Sequence, residues 1–134
     1  MRPRTKLAEQ VMAKEKGRVN ELEESCIYVA LQDGPAVEYV IDTGFNGWLS
    51  FPQKLVEDLQ LPIVGRERIV LLGKQGVLCP IAAAKIVWLE ESFNVNVIVN
   101  DGDDVLLGTQ LLADSILRIN YRNKHLTINR PERK

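Results

Sequence analysis

From Ser25 onward the chain is written in short runs of strand-forming residues, each closed by a turn signal, and no other feature constrains its fold as tightly. Cys26-Ile27-Tyr28-Val29-Ala30-Leu31 is rich in β-branched and aromatic side chains and is broken by Asp33-Gly34-Pro35. Ala36 to Ile41 then supplies a second run, so the pair reads as a hairpin. Phe93, Val95, Val97 and Val99 alternate with Asn94 and Asn96, the period of a strand with one buried face. Ile69 to Leu72 and Val77 to Leu89 flank Gly73-Lys74-Gln75-Gly76, which predicts a projecting hairpin with a glycine-bracketed tip. Ile116 to Tyr121 and His125 to Ile128 form another hairpin around Arg122-Asn123-Lys124. Helical signals are few. Pro52 suits the first turn of a helix with Leu55 and Leu59 on one side, and Leu111-Leu112 suit a short second one. Many short strands with one or two short helices predict a mostly β barrel or sandwich.

Residues 1–24 have a different texture, dense in charge and poor in large apolar side chains. Leu7 and Val11 lie four apart, which predicts either an exposed helix, weakened at Gly17, or a solvated arm. The expected organisation is therefore a charged, helical or frayed arm at 1–24, one domain at 25–130, and a tail at 131–134. A chain of 134 residues buries enough surface for one domain without a disulfide or metal staple. Its 17 basic and 18 acidic residues balance to −1, which argues against a protein held mainly by phosphate contacts, and no nucleic-acid partner is expected. Two distant cysteines, Cys26 and Cys79, and the single His125 form no ligand set, so neither a metal nor a cofactor is expected. The most apolar stretch, Val77 to Leu89, is interrupted by Pro80 and Lys85, and residues 1–24 contain no apolar leader core. No membrane partner is expected, and the expected location is the cytoplasm with both thiols reduced.

The residues with the most chemistry are Val40-Ile41-Asp42-Thr43-Gly44. An apolar strand here runs directly into a carboxylate, which is costly at a buried strand end unless something pairs with it or uses it. Thr43 can brace a tight loop through its hydroxyl, and Gly44 leaves the backbone open to a ligand. Taken alone, the tripeptide also fits an ordinary turn.

Downstream, Val105-Leu106-Leu107-Gly108 runs into Thr109-Gln110-Leu111-Leu112. With Asp42-Thr43-Gly44, the hairpin tip Gly73-Lys74-Gln75-Gly76 and Leu106-Leu107-Gly108 in this order, the chain resembles the retropepsin-like aspartic proteases over about residues 25–130. It looks most similar to their small prokaryotic branch, because Phe45, Gly47 and Leu49-Ser50-Phe51-Pro52 follow the tripeptide. Phe45 and Asn46 stand where retroviral members carry Ala and Asp, and Gln110 stands where a basic residue is common. The resemblance implies a closed acid-protease β-barrel with a flap hairpin. It also implies Asp42, Thr43 and Gly44 as catalytic residues. Substrate contacts would come from Phe45, Asn46, Gly73, Lys74, Gln75 and Gly76.

Aspartic proteolysis needs two carboxylates sharing one proton, and the chain holds only one Asp-Thr-Gly. The resemblance therefore implies a homodimer acting on a peptide or protein substrate, with Thr43 bridging to the opposite loop and the carboxy-terminal strand Leu126 to Ile128 joining an intersubunit sheet. Two other readings stay open at this point. One is a non-proteolytic domain of the same fold that serves dimerisation or interaction. The other is a nucleotide hydrolase of the dUTPase type, which has a similar apolar-Ile-Asp segment, although residues 119–134 lack the glycine-rich arm it would need.

Overall fold

The computed structural model describes residues 11–70 and 75–131. Its strands are β1 (Val11–Val19), β2 (Ser25–Leu31), β3 (Ala36–Ile41), β4 (Leu49–Pro52), β5 (Ile63–Ile69), β6 (Val77–Trp88), β7 (Glu91–Asn100), β8 (Leu106–Leu107), β9 (Ile116–Asn120) and β10 (His125–Pro131). Two short helices, α1 (Gln53–Asp58) and α2 (Thr109–Leu112), follow β4 and β8. The fold is mostly β. Strand neighbours run β5-β6-β7-β4-β8-β3-β2-β1-β10-β9. Strand β6 also pairs with β2 through Ala30↔Val87 and Leu31↔Ile86, so pairing closes a ring through β2, β3, β8, β4, β7 and β6.

The ring encloses the core. Ile27 and Val29 of β2, Tyr39 of β3, Leu49 and Phe51 of β4, Ile86 and Trp88 of β6, Val97 of β7 and Leu107 of β8 are all essentially inaccessible. Alternation sets this arrangement: Val95, Val97 and Val99 turn inward while Asn94 and Asn96 face solvent. The turn from β6 to β7 places Leu89 (φ 49°) and Glu90 (φ 67°) in the left-handed region. Such backbone costs about 1–2 kcal/mol per non-glycine residue. Two contacts offset it: Leu89 is buried, and its N–H donates to Glu15 Oε2 at 2.9 Å.

Four expectations need correction. First, residues 11–19 form a strand, neither helix nor loose arm, and β1 pairs with β10 from Val11↔Pro131 to Arg18↔His125. Ala13 and Val19 are buried while Lys14, Lys16 and Arg18 are exposed, a period-two pattern obscured by charge. Gly17 serves close packing: a Cβ there would lie 2.2 Å from the Cys26 carbonyl oxygen of β2. The domain thus begins well before Ser25, whereas residues 1–10 lie outside the described residues. Second, Pro131 ends β10 and belongs to the sheet; the rest of the expected tail, 132–134, lies outside the described residues. Third, the outer arm of the projecting hairpin is Ile63–Ile69, earlier than Ile69 to Leu72. Nearly all of it is exposed, so it shows no alternation to read. Fourth, β10 is flanked on both sides by strands of its own chain, β1 and β9, which leaves it no free edge for an intersubunit sheet.

Among the described residues, no helix is long and apolar enough to cross a membrane.

Candidate active site

Strand β8 is only two residues long, yet it organises the site. It lies parallel to β3 through Val40↔Leu106 and Ile41↔Leu107, and antiparallel to β4 through Leu49↔Leu107 and Ser50↔Leu106. Wedged between them, it fixes the loop 42–48 that joins β3 to β4. Asp42 is the first residue of that loop. Its N–H donates to the Leu107 carbonyl at 2.9 Å, continuing the β3–β8 ladder by one step. Its side chain turns back on the loop, where Oδ1 accepts from the Gly44 N–H at 2.9 Å. Its carbonyl accepts from the Phe45 N–H at 3.1 Å. Asp42 as a residue is half-buried, while Thr43, Gly44 and Asn46 are exposed.

The far side of the loop is fastened to α2. Gly108 N–H donates to the Trp48 carbonyl, Thr109 N–H to the Phe45 carbonyl and Gln110 N–H to the Gly47 carbonyl, at 2.9, 2.9 and 3.1 Å. The first N–H groups of a helix have no partner inside it, and here the loop supplies acceptors for them. The Phe45 ring lies over both glycines. A Cβ on Gly47 would come within 2.7 Å of it, and one on Gly108 would meet the same ring at 2.7 Å and the Gly47 carbonyl oxygen at 2.3 Å. Phe45 therefore packs within the loop, a role its expected contact with substrate did not include. The sequence signal was present in Gly47 and Gly108, but glycines alone do not show what approaches them.

Of the projecting hairpin, Gly73 and Lys74 lie outside the described residues. Gln75 is exposed, and Gly76 packs against its own hairpin, its carbonyl accepting from Arg68 Nη1 at 3.2 Å. No hydrogen bond among the described residues joins Gln75 or Gly76 to the Asp42 loop. The structure thus brings Asp42, Gly44 and Phe45 together with Leu107 and Gly108, and leaves the hairpin as a separate arm. The described part of the arm carries exposed apolar side chains, with Val70 71%, Val77 51% and Leu78 52% accessible.

Other candidates have structural roles. Trp88 is buried and donates its Nε1–H to the Leu111 carbonyl at 2.9 Å. With Trp48, Phe93, Gln110 and Arg130 it lines a cavity of about 520 Å³ that Asp42 does not reach. Cys79 sits half-buried in the hairpin opposite Glu67, where burial and then the charge of Asp101 push its thiol pKa up. Such a thiol is less reactive than a free one. His125 is an exposed residue at the start of β10. Among the described residues no group of three His, Cys, Asp or Glu is placed to hold a metal.

No protein-family model matches the chain, and no curated protein does. Solved structures do resemble it. A retropepsin-like aspartic protease from Rickettsia conorii superposes with a TM-score of 0.59 over 87% of this chain and 89% of its own, at 18% identity. The EIAV protease complexed with the inhibitor HBY-793 gives 0.55 over 71% of this chain and 90% of its own, also at 18% identity. These likenesses establish the fold as retropepsin-like.

Proposed function

We propose that this chain of retropepsin-like fold is an aspartic endopeptidase, active as a homodimer in which each subunit supplies one Asp42. The observation that carries the reading is the fastening of Asp42. The ladder bond to Leu107 holds its backbone, and the Gly44 N–H holds its carboxylate. A group held in this way presents one orientation to a reacting atom and needs no rearrangement when the reaction begins. The ring of paired strands is read as the closed acid-protease barrel, and the hairpin β5–β6, with its tip Gly73 to Gly76, as the flap over substrate.

One Asp-Thr-Gly per chain makes the site half a site. Two such loops meeting at a two-fold axis bring their carboxylates to about 3 Å, where they share one proton because both cannot ionise in contact. The ionised Asp42 takes a proton from a water molecule, whose oxygen attacks the peptide carbonyl carbon. The protonated Asp42 donates to the carbonyl oxygen as the tetrahedral species forms. Collapse of that species breaks the C–N bond: the Asp42 that took the water's proton passes it to the departing nitrogen, which leaves as an amine, and the other Asp42 takes back a hydroxyl proton as the carboxyl product forms. Thr43, exposed in the single chain, reaches across to brace the opposite loop.

The test is Asp42→Asn, assayed on a peptide library beside the parent. The amide keeps an Oδ1 acceptor for the Gly44 N–H but cannot share the proton. Cleavage should fall by about 10²–10⁴-fold or more with the circular dichroism spectrum unchanged. Equal cleavage by the folded variant and the parent would overturn the assignment.

A further inference from the structure

The three strands at one end of the sheet order, β1, β10 and β9, turn one face to the core and the other to solvent. Leu126 and Ile128 are buried on the inner face, and their β1 partners Gly17 and Glu15 lie on that side with them. Residues directly opposite across strands share a face, so register fixes the outer one. Lys14, Asn129 and Ile116 form one row, Lys16, Thr127 and Arg118 the next, and Arg18, His125 and Asn120 the third. Lys14, Lys16, Arg18 and Arg118 carry permanent positive charge there, and none of the nine side chains is acidic. The turn after Asn120 adds Arg122 and Lys124 at the rim. Two acids border the face: Glu38 accepts from Arg18 Nη2 at 2.9 Å, and Glu23 pairs with Lys124. Among the described residues, Lys14, Lys16, Arg118 and Arg122 have no ion pair. The overall charge of −1 averages over this segregation.

We infer that this face binds single-stranded nucleic acid through its phosphates, with little regard to sequence. Along β1 the cations recur at every second residue, about 6.7 Å apart, and neighbouring strands lie about 4.8 Å apart. Positive charge is thus spaced on the scale of successive phosphates in an extended chain. Asn120 and Thr127 stand among the cations as neutral hydrogen-bonding groups for phosphate and sugar oxygens. An acidic peptide would satisfy the charges alone, but the rings beside them favour nucleic acid. Tyr121, 53% accessible, and the exposed His125 line a cavity of about 600 Å³ together with Arg118 and Thr127. Aromatic rings beside a cationic track hold unpaired bases by stacking, and a duplex keeps its bases stacked on one another. The face has the extent of the smallest such sites, about four nucleotides. It makes no use of Asp42, so this inference and the protease reading stand or fall separately.

The experiment follows the fluorescence anisotropy of a labelled oligothymidylate of about 12 nucleotides as the full chain is added. The logarithm of the association constant should fall against that of salt concentration with a slope of about −3, four unpaired cations at about −0.7 each. Lys14→Gln/Lys16→Gln/Arg118→Gln should bind about a hundredfold more weakly at ~0.1 M salt and bring the slope to about −1. Lys54→Gln/Arg66→Gln/Lys85→Gln removes the same charge from other exposed positions and should change binding by less than about threefold, because distant charges are screened. Tyr121→Ala should weaken binding about fivefold or more with the slope unchanged. Lysine acetylation on the parent needs no variant: bound oligonucleotide should slow the reaction at Lys14 and Lys16 and leave Lys54 and Lys85 as they were. Oligouridylate run beside oligothymidylate distinguishes RNA from DNA as the source, and binding of either supports the face. A parent that binds neither at ~50 mM salt, equal losses in the two triple variants, or unslowed acetylation of Lys14 and Lys16 with the oligonucleotide bound would overturn it. Duplex DNA or polyglutamate held as tightly as the single strand, or Tyr121→Ala binding like the parent, would overturn the single-stranded ligand.

Discussion

Gly108 and Gly47 are pressed together so closely that a Cβ on Gly108 would lie 2.3 Å from the Gly47 carbonyl oxygen. This contact, with the Phe45 ring over both, joins the loop carrying Asp42 to the segment that leads into α2. Gly108 has φ −102° and ψ −177°, extended backbone open to any residue, so glycine is required there for space and not for conformation.

Gly108→Ala should therefore destabilise the fold by about 3 kcal/mol or more, because the obstacle is backbone that cannot rotate away. Urea unfolding followed by circular dichroism measures it. Gly102→Ala is the control: a Cβ there meets nothing nearer than Asn100 Oδ1 at 3.7 Å, and the cost should stay within about 0.5 kcal/mol. Equal losses at the two positions would show that the packing around Gly108 does not hold the loop.

The apolar end of the hairpin gives a second expectation. Val70, Val77 and Leu78 are exposed in the single chain, and a flap closing on substrate would cover them. Amide exchange from Gln75 to Leu78 should slow when a transition-state mimic occupies the site. An occupied site with unchanged exchange there would make the hairpin a fixed arm.

Glu15 makes stability depend on pH. Burial raises the pKa of its carboxyl, the Leu89 N–H opposes that rise, and the charge of Glu90 adds to it, leaving the group above the ordinary carboxylate range. In the window between the unfolded and folded values, the folded state holds a proton that the unfolded state has released. Its stabilising contribution is complete below the unfolded value and is lost as pH rises through the folded one. Glu15→Gln retains an acceptor for Leu89 and has no charge to bury. Its melting temperature should match the parent's below the ordinary glutamate pKa and exceed it by a growing margin as pH rises, levelling off once the pH has passed the folded value. A margin that stays constant over that range would exclude Glu15 as the source.

Much of this architecture is legible in the sequence because alternation and turn residues coincide there. Val95, Val97 and Val99 face inward as their spacing requires, Asp33-Gly34 turns β2 into β3, and Asp42-Thr43-Gly44 stands at the end of β3 ahead of Leu107-Gly108. The failures have a common cause. Among the described side chains of β1, the buried ones are Ala13 and Val19, small or widely spaced between lysines, so charge masks the period. Strand β5 is almost wholly exposed and owes its shape to hydrogen bonds with β6, which leave no mark on side-chain polarity. In the site, the Phe45 ring meets Gly47 and Gly108 through a loop closure that residue spacing does not express.

The pairing of β1 with β10 bears on how the protein is made. Lys14 lies opposite Asn129, 115 positions later (129 − 14), so β1 waits for more than a hundred further residues before its long partner exists. At ~5–20 residues per second that interval is on the order of 10 s. Closing so distant a contact is also slow in itself. Until then β1 has only β2 to pair with, through Arg18↔Cys26 and Val19↔Ser25, and its lysines favour hydration of the rest of the strand. Residues that look like surface ornament in the finished sheet are guardians of a nascent one.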